Sequence, residues 1–251
     1  MTLSKTYAAH LDAVQAQNAR IYGPSPTGDA WGGASARRFR FDPHRDLDRN
    51  IEVIASYVGP EDVVIDVGGG AGRVCLPLAL KCKIALNVEP SPGMGAEFES
   101  LAQEAGIRNA RLVPSSLAEA QAPQGDISFT ADVTYFVRDI PSFIRQMEAA
   151  ASRRVIITIW SEPPPNRHSK LFQLVYGEDQ AALPGQAQLL PVLWDMGILP
   201  DVQVMPESPW WENQRPPTRE EAIKMVVEDR VIKPDDRERA QSVFEAHFDE
   251  L

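Results

Sequence analysis

The chain has 251 residues, enough for one large α/β domain or a domain with a modest appendage. At 43% hydrophobic and 24% charged it reads as a soluble globule, with no apolar run near the ~18 residues of a membrane span. A formal net charge of −10 argues against a nucleic-acid substrate, because binding phosphates demands a basic face.

The first twenty residues predict a helix with Leu3, Tyr7, Leu11 and Val14 on one stripe. They lack the basic start and continuous apolar core of a secretory signal, so a cytoplasmic location is expected. A Gly/Pro/Ser-rich loop follows over Tyr22–Ser35. Next comes ARRFRFDPHR (residues 36–45), with four arginines and two phenylalanines. It reads as a helix approach whose arginines pair with nearby acids, or alternatively as a contact for an anionic substrate. A helix over 46–57 buries Leu47, Ile51 and Ile54.

From Asp62 the pattern alternates strand and helix. Strands are expected at DVVIDV (62–67), KIALNVEP (83–90), ARLVPS (110–115), GDISFTAD (125–132) and RRVIITIW (153–160). Helices are expected after Gly72, over 93–105 and over 139–151. Such alternation with short links predicts a parallel, doubly wound sheet. Cys75 and Cys82 fall in one expected helix, too far apart for a disulfide, and read as reduced thiols. No Cys/His cluster has zinc-like spacing, and no metal is expected. Beyond Trp160 the pattern loosens: a proline-rich loop, helices at 168–176 and 186–196, a sixth strand DVQVMPE (201–207), then helices at 218–230 and 234–247.

The stretch VIDVGGGAGR (64–73) packs four glycines into five positions after an apolar strand. Glycines there allow a tight turn and let a ligand lie against bare backbone at a helix N-terminus. The dinucleotide fingerprint Gly-x-Gly-x-x-Gly would need glycine at position 73, which is Arg. The frame Asp66-x-Gly68-x-Gly70-x-Gly72 fits at every position.

On these residues, with LNVEPSPGM, LVPSSL and ISFTADVTYFVRDIPSFI, the chain resembles the class I (Rossmann-like) S-adenosylmethionine-dependent methyltransferases over roughly residues 50–160. The resemblance implies a doubly wound, mostly parallel Rossmann-like α/β sheet flanked by helices. It also implies S-adenosylmethionine as cofactor. Asp66, Gly68, Gly69, Gly70 and Gly72 would form the loop that holds the methionine end. Glu89, 17 residues past Gly72, would accept hydrogen bonds from both ribose hydroxyls, with Pro90 and Met94 beside the adenine. The third strand in this family usually ends in an Asp that contacts the adenine; here Ser115 and Ser116 stand there, with the Ser116 or Leu117 N–H to read the ring. Trp31, on the lid loop, would face the sulfonium, and Thr130 and Ala131 would line the end of the fourth strand.

The acceptor is expected beyond the fourth and fifth strand ends. Thr130, Ala131, Asp132 and Val133 stand where nucleobase-amine methylating enzymes carry Asn/Asp-Pro-Pro-Tyr/Phe, which argues against that chemistry. Candidate catalytic residues are His168 as a base, Tyr135 and Asp132, each with a structural alternative: helix start, core packing and turn cap. Trp194, Trp210 and Trp211 could line an apolar acceptor pocket or belong to the core. The family sheet generally ends with two further strands, and no seventh is evident before Leu251.

The expectation is therefore a methyltransferase acting on a small molecule, as monomer or homodimer, with no nucleic-acid or membrane partner. Residues 1–45 would form an N-terminal helix and lid loop, 46–211 the cofactor-binding methyltransferase domain, and 212–251 a C-terminal helical extension. A cofactor-binding protein without transferase activity and an NAD-linked oxidoreductase are the alternatives.

Overall fold

The computed structural model describes residues 2–23, 28–120, 123–205, 218–227 and 232–247. In chain order the elements are α1 (Leu3–Tyr22), α2 (Ala34–Arg37), α3 (Arg49–Ala55), β1 (Val63–Val67), α4 (Cys75–Ala79), β2 (Ile84–Val88), α5 (Pro92–Glu104), β3 (Ala110–Val113), β4 (Gly125–Ala131), α6 (Ile140–Ala150), β5 (Ala151–Thr158), α7 (Ser169–Tyr176), α8 (Gln186–Asp195), α9 (Arg219–Val227) and α10 (Arg237–Ala246). Short 3-10 turns lie at Thr134–Phe136, Pro164–His168 and Pro234–Asp236. The chain forms two compact units. One comprises Pro26–Ile159 and Pro200–Glu212; the other comprises Met1–Ser25, Trp160–Leu199 and Asn213–Leu251.

The first unit holds the sheet, in the order β3-β2-β1-β4-β5, with every described pairing parallel. Parallel strands covered on both faces read as unbroken apolar runs, and β1 is buried at four of its five positions. Neighbouring residues serve opposite faces, as the strand period of two requires. Val64 packs with Leu76, Phe98 and Phe129 on one side, Ile65 with Val88, Leu117 and Met147 on the other. The order reverses between β1 and β4, which opens a crevice at their carboxyl ends.

Three helices of this unit, α3, α5 and α6, start where the sequence supplies a cap. Asp48, Ser91 and Asp139 accept from the backbone N–H of Ile51, Met94 and Ser142, and Pro92 sits at the first helical position of α5.

The second unit is helical in its described residues. Leu171, Val175, Ile223, Ala240 and Phe244 of α7, α9 and α10 share one core, and α1 packs on α8. Buried Asn166 pairs its amide with both backbone groups of Leu183, each at 2.9 Å.

Several boundaries differ from the sequence expectation. The expected sixth strand is absent over 201–205: Val202 and Val204 are 58% and 92% exposed, so their alternation faces no partner. Positions 206 and 207 lie outside the described residues, as do Trp210 and Trp211. Along α1 only Tyr7 of the expected stripe is fully buried, and Leu3 is exposed. α4 ends at Ala79, leaving Cys82 beyond it, yet both thiols are free and buried. No helix among the described residues is long and apolar enough to cross a membrane.

Candidate functional site

Past Val67 the chain turns through Gly68, Gly70 and Gly72, with φ of 72°, 55° and 89°, a region that side-chain-bearing L-residues seldom occupy. Gly69 is required for another reason: a β-carbon there would lie 2.5 Å from both Asn87 Oδ1 and Asp66 Oδ2. The Gly68 N–H donates to Val88 O at 2.8 Å, and the Gly72 N–H closes onto Gly69 O at 2.9 Å. Gly70 presents an open side. The nearest atom to a β-carbon placed there is Met94 Sδ, at 3.7 Å.

Glu89, the residue after β2, is buried, and its carboxylate is pinned from two directions. Oε2 accepts the Gly70 N–H at 2.9 Å and Oε1 accepts the Ser91 N–H at 2.8 Å. Each oxygen retains further lone-pair capacity, so two acceptor positions remain, side by side. Burial pushes this carboxyl above its usual range; the two N–H groups act against that shift, and the Asp29 charge adds to it.

Asn87 shares a strand face with Glu89, two positions on. Its Nδ2 donates to Gly70 O at 2.9 Å, while its buried Oδ1 has no hydrogen-bond partner. Asp66 is 2% exposed, and burial pushes its carboxyl well above the carboxylate range. The Arg73 charge opposes that shift, Glu89 reinforces it, and the Cys75 N–H opposes it.

At the crevice between β1 and β4, Arg73 Nη2 donates to Asp132 Oδ2 at 3.1 Å. Asp132 has φ 63°, the one positive value at a non-glycine among the described residues. The next residue, Val133, lies so close to Gly68 that a β-carbon there would meet its Cγ2 at 2.7 Å. Arg45 Nη2 donates to Arg73 O at 2.9 Å, with its guanidinium over the Phe41 ring. Arg40 pairs with Glu97 and Glu104, each at 2.7 Å, so this part of the arginine-rich stretch pairs with acids as expected.

A strap at Asp29–Trp31 docks on the N-terminus of α5. Asp29 accepts from the Gly93 N–H at 2.7 Å and from Ser91 Oγ at 2.8 Å, and also from the Trp31 N–H. Trp31 joins Ala36, Ala71 of the glycine loop and Met94, and meets Phe39 and Phe136 edge-on. Sequence reasoning named Trp31 but missed the Asp29 clasp, Asn87 and Arg73. Asn87 had a signal: it is the one polar residue inside IALNV. An Asp in a loop does not announce which amide it will meet.

The remaining candidates scatter. Thr130 spends its hydroxyl on Val67 O at 2.8 Å, inside the sheet. Ala131 and Leu117 pack into the two core clusters. Ser116 donates to Glu119 Oε2 at 2.8 Å, Ser115 Oγ is buried without a partner, and Pro90 is exposed. Tyr135 is buried against Phe136. His168 ends the Pro164–His168 turn, in the helical unit. Trp194 is 54% exposed.

Among solved structures the chain is similar to magnesium protoporphyrin IX methyltransferase from Synechocystis PCC 6803 with bound SAH. Identity is 17% over 78% of this chain and 89% of that one, with a TM-score of 0.50. The fold is the one that methyltransferase has. Other matches are the YcgJ protein from Bacillus subtilis (15% identity, 70% and 81% covered, TM-score 0.49) and a SAM-dependent methyltransferase from Aquifex aeolicus (18%, 64% and 82%, 0.44). No protein-family model matches the sequence, and no curated protein matches it.

Proposed function

We propose that the protein transfers a methyl group from S-adenosylmethionine to a small-molecule acceptor. The observation that carries this reading is Glu89: a buried carboxylate fixed by the Gly70 and Ser91 N–H groups, with two acceptor positions left for a vicinal diol. A ribose bearing free 2′ and 3′ hydroxyls fits those positions, whereas a 2′-phosphate would be repelled. The open side at Gly70 and the Trp31–Met94 contact to the glycine loop fit the rest of a nucleoside. Arg73 occupies the position where a dinucleotide loop needs its third glycine, which favours the sulfonium nucleoside over NAD.

When bound, the cofactor supplies a methyl group activated on a sulfonium. The chain's own part is positional. The glycine loop and Asp66 hold the amino-acid end, Glu89 fixes the sugar, and Met94 flanks the base. Ser115 and the Leu117 backbone border the adenine, and Trp31 offers an aromatic face to the cation. Asp132, engaged by Arg73, serves as a positioning residue, and buried Tyr135 as pocket wall. His168 is the proposed base for an acceptor that must lose a proton, and substitution His168→Ala should then lower kcat while leaving nucleoside affinity unchanged. The acidity of the chain supports a small molecule rather than RNA as acceptor, in the reducing cytoplasm that two buried thiols suit.

Calorimetric titration tests the reading: S-adenosylhomocysteine should bind at one site per chain and NADH should not. Binding of NADH alone would overturn it. Label transfer from methyl-labelled cofactor into a metabolite extract then separates an enzyme from a protein that merely binds the nucleoside.

A further inference from the structure

We infer that Arg73, aimed by Asp132, is a carboxylate receptor at the crevice between β1 and β4. The inference rests on the proposed cofactor and adds a recognition element to it. Three observations carry it. Arg73 immediately follows the glycine loop, and its guanidinium reaches across the sheet's reversal point to Asp132, beyond the end of β4. A guanidinium has five N–H donors in a planar fork suited to a carboxylate, and the Asp132 contact runs through one nitrogen, Nη2. The pair is partly open to solvent, with side-chain exposures of 26% for Arg73 and 32% for Asp132, so a ligand can reach it.

Asp132 makes that contact from a backbone conformation with φ 63°. A positive φ at a residue with a side chain persists where its surroundings impose it. Val133, packed against Gly68, and the Asp132 N–H, which donates to Thr158 O at 3.2 Å, supply that constraint. Arg45 fixes Arg73 from behind, through its carbonyl. A guanidinium held through one nitrogen by Asp132, on a residue whose carbonyl Arg45 holds, marks one place where an anion is welcome in a chain of net charge −10.

Two ligands could bring the carboxylate: the amino-acid end of the cofactor, or the acceptor. The probes are S-adenosylhomocysteine and 5′-methylthioadenosine, which shares its nucleoside and lacks the amino-acid carboxylate. Succinate, titrated into the methylthioadenosine complex, stands for an acceptor. Variants are Arg73→Gln, Arg73→Lys and Asp132→Asn, the last because Asn tolerates a positive φ.

Arg73→Gln should weaken S-adenosylhomocysteine about 10- to 100-fold while leaving methylthioadenosine within about twofold, with Arg73→Lys recovering part of the loss. Asp132→Asn should lower the same ratio by a smaller factor, which a purely structural role would not do. If the ratio holds in Arg73→Gln but succinate binding disappears, the carboxylate belongs to the acceptor and the receptor stands. Equal behaviour of wild type and Arg73→Gln towards all three probes overturns the inference. Failure of the wild type to bind either nucleoside would instead remove the proposed function.

Discussion

Glu89 and Gly70 hold each other: the carboxylate at the end of β2 accepts the N–H of the loop that follows β1, at 2.9 Å. The acid therefore does two jobs. It fixes the loop's backbone and offers its remaining lone pairs outward. Glu89→Ala should lower affinity for S-adenosylhomocysteine about 10- to 100-fold, read by calorimetry, because it removes charge-assisted hydrogen bonds. Glu89→Gln keeps the shape and one acceptor oxygen and should lose less. Unchanged affinity in Glu89→Ala would remove the ribose contact from the proposal.

Gly69→Ala tests close approach rather than backbone freedom. The added carbon would sit 2.5 Å from Asn87 Oδ1 and Asp66 Oδ2, both on buried side chains. The expected cost is about 1–3 kcal/mol of stability, read as a lower thermal midpoint, together with loss of nucleoside binding.

Asp66 makes stability depend on pH. Its folded-state pKa is raised, chiefly by burial, so the folded chain holds the proton more tightly than the unfolded one. The stabilisation is complete below the unfolded value of about 3.9 and is lost as pH rises through the raised folded value. Asp66→Asn keeps an acceptor for the Cys75 N–H and carries no charge. Its thermal midpoint should gain on wild type as pH rises above the ordinary carboxylate range towards the raised folded value, at constant ionic strength. A midpoint difference independent of pH would contradict the raised value.

Asp29 behaves with the opposite sign. The Gly93 N–H above all holds its carboxyl below the usual range; burial opposes it, and the Ser91 hydroxyl and the Trp31 N–H add to the lowering. The clasp is therefore intact above the ordinary carboxylate range and is released as pH falls through the depressed folded value. Asp29→Asn should speed hydrogen exchange at the Gly93 amide at neutral pH while the exchange of β1 amides stays unchanged. Equal protection at Gly93 in both proteins would mean the clasp does not hold the strap.

Cys75 and Cys82 should resist a disulfide reagent until the chain unfolds. Burial pushes both thiols up, Cys82 to about 11, so little thiolate exists at pH 8. Two thiols titrating only in denaturant is the expected result; prompt reaction of the native protein would contradict it.

Much of the sheet was legible because a buried parallel strand must be apolar nearly throughout, and VVIDV and IALNV are each interrupted at a single polar position. The caps Asp48, Ser91 and Asp139 fix helix starts at Arg49, Pro92 and Ile140, near the expected 46, 93 and 139. The alternation of DVQV misled because the period of two records a preference, while pairing needs a neighbour, and Val204 remains 92% exposed.

By itself the sequence determined what depends on local geometry: the glycine turn after an apolar strand, the acid one strand later, and the right order of elements between Asp62 and Thr158. Tertiary structure alone decided what depends on contacts between distant residues. It set Asp29 on Gly93, Arg73 on Asp132, and Asn87 behind Gly70. Hydrogen bonds across 17 to 64 positions of chain follow from how strands and helices stack, and no local pattern encodes that distance.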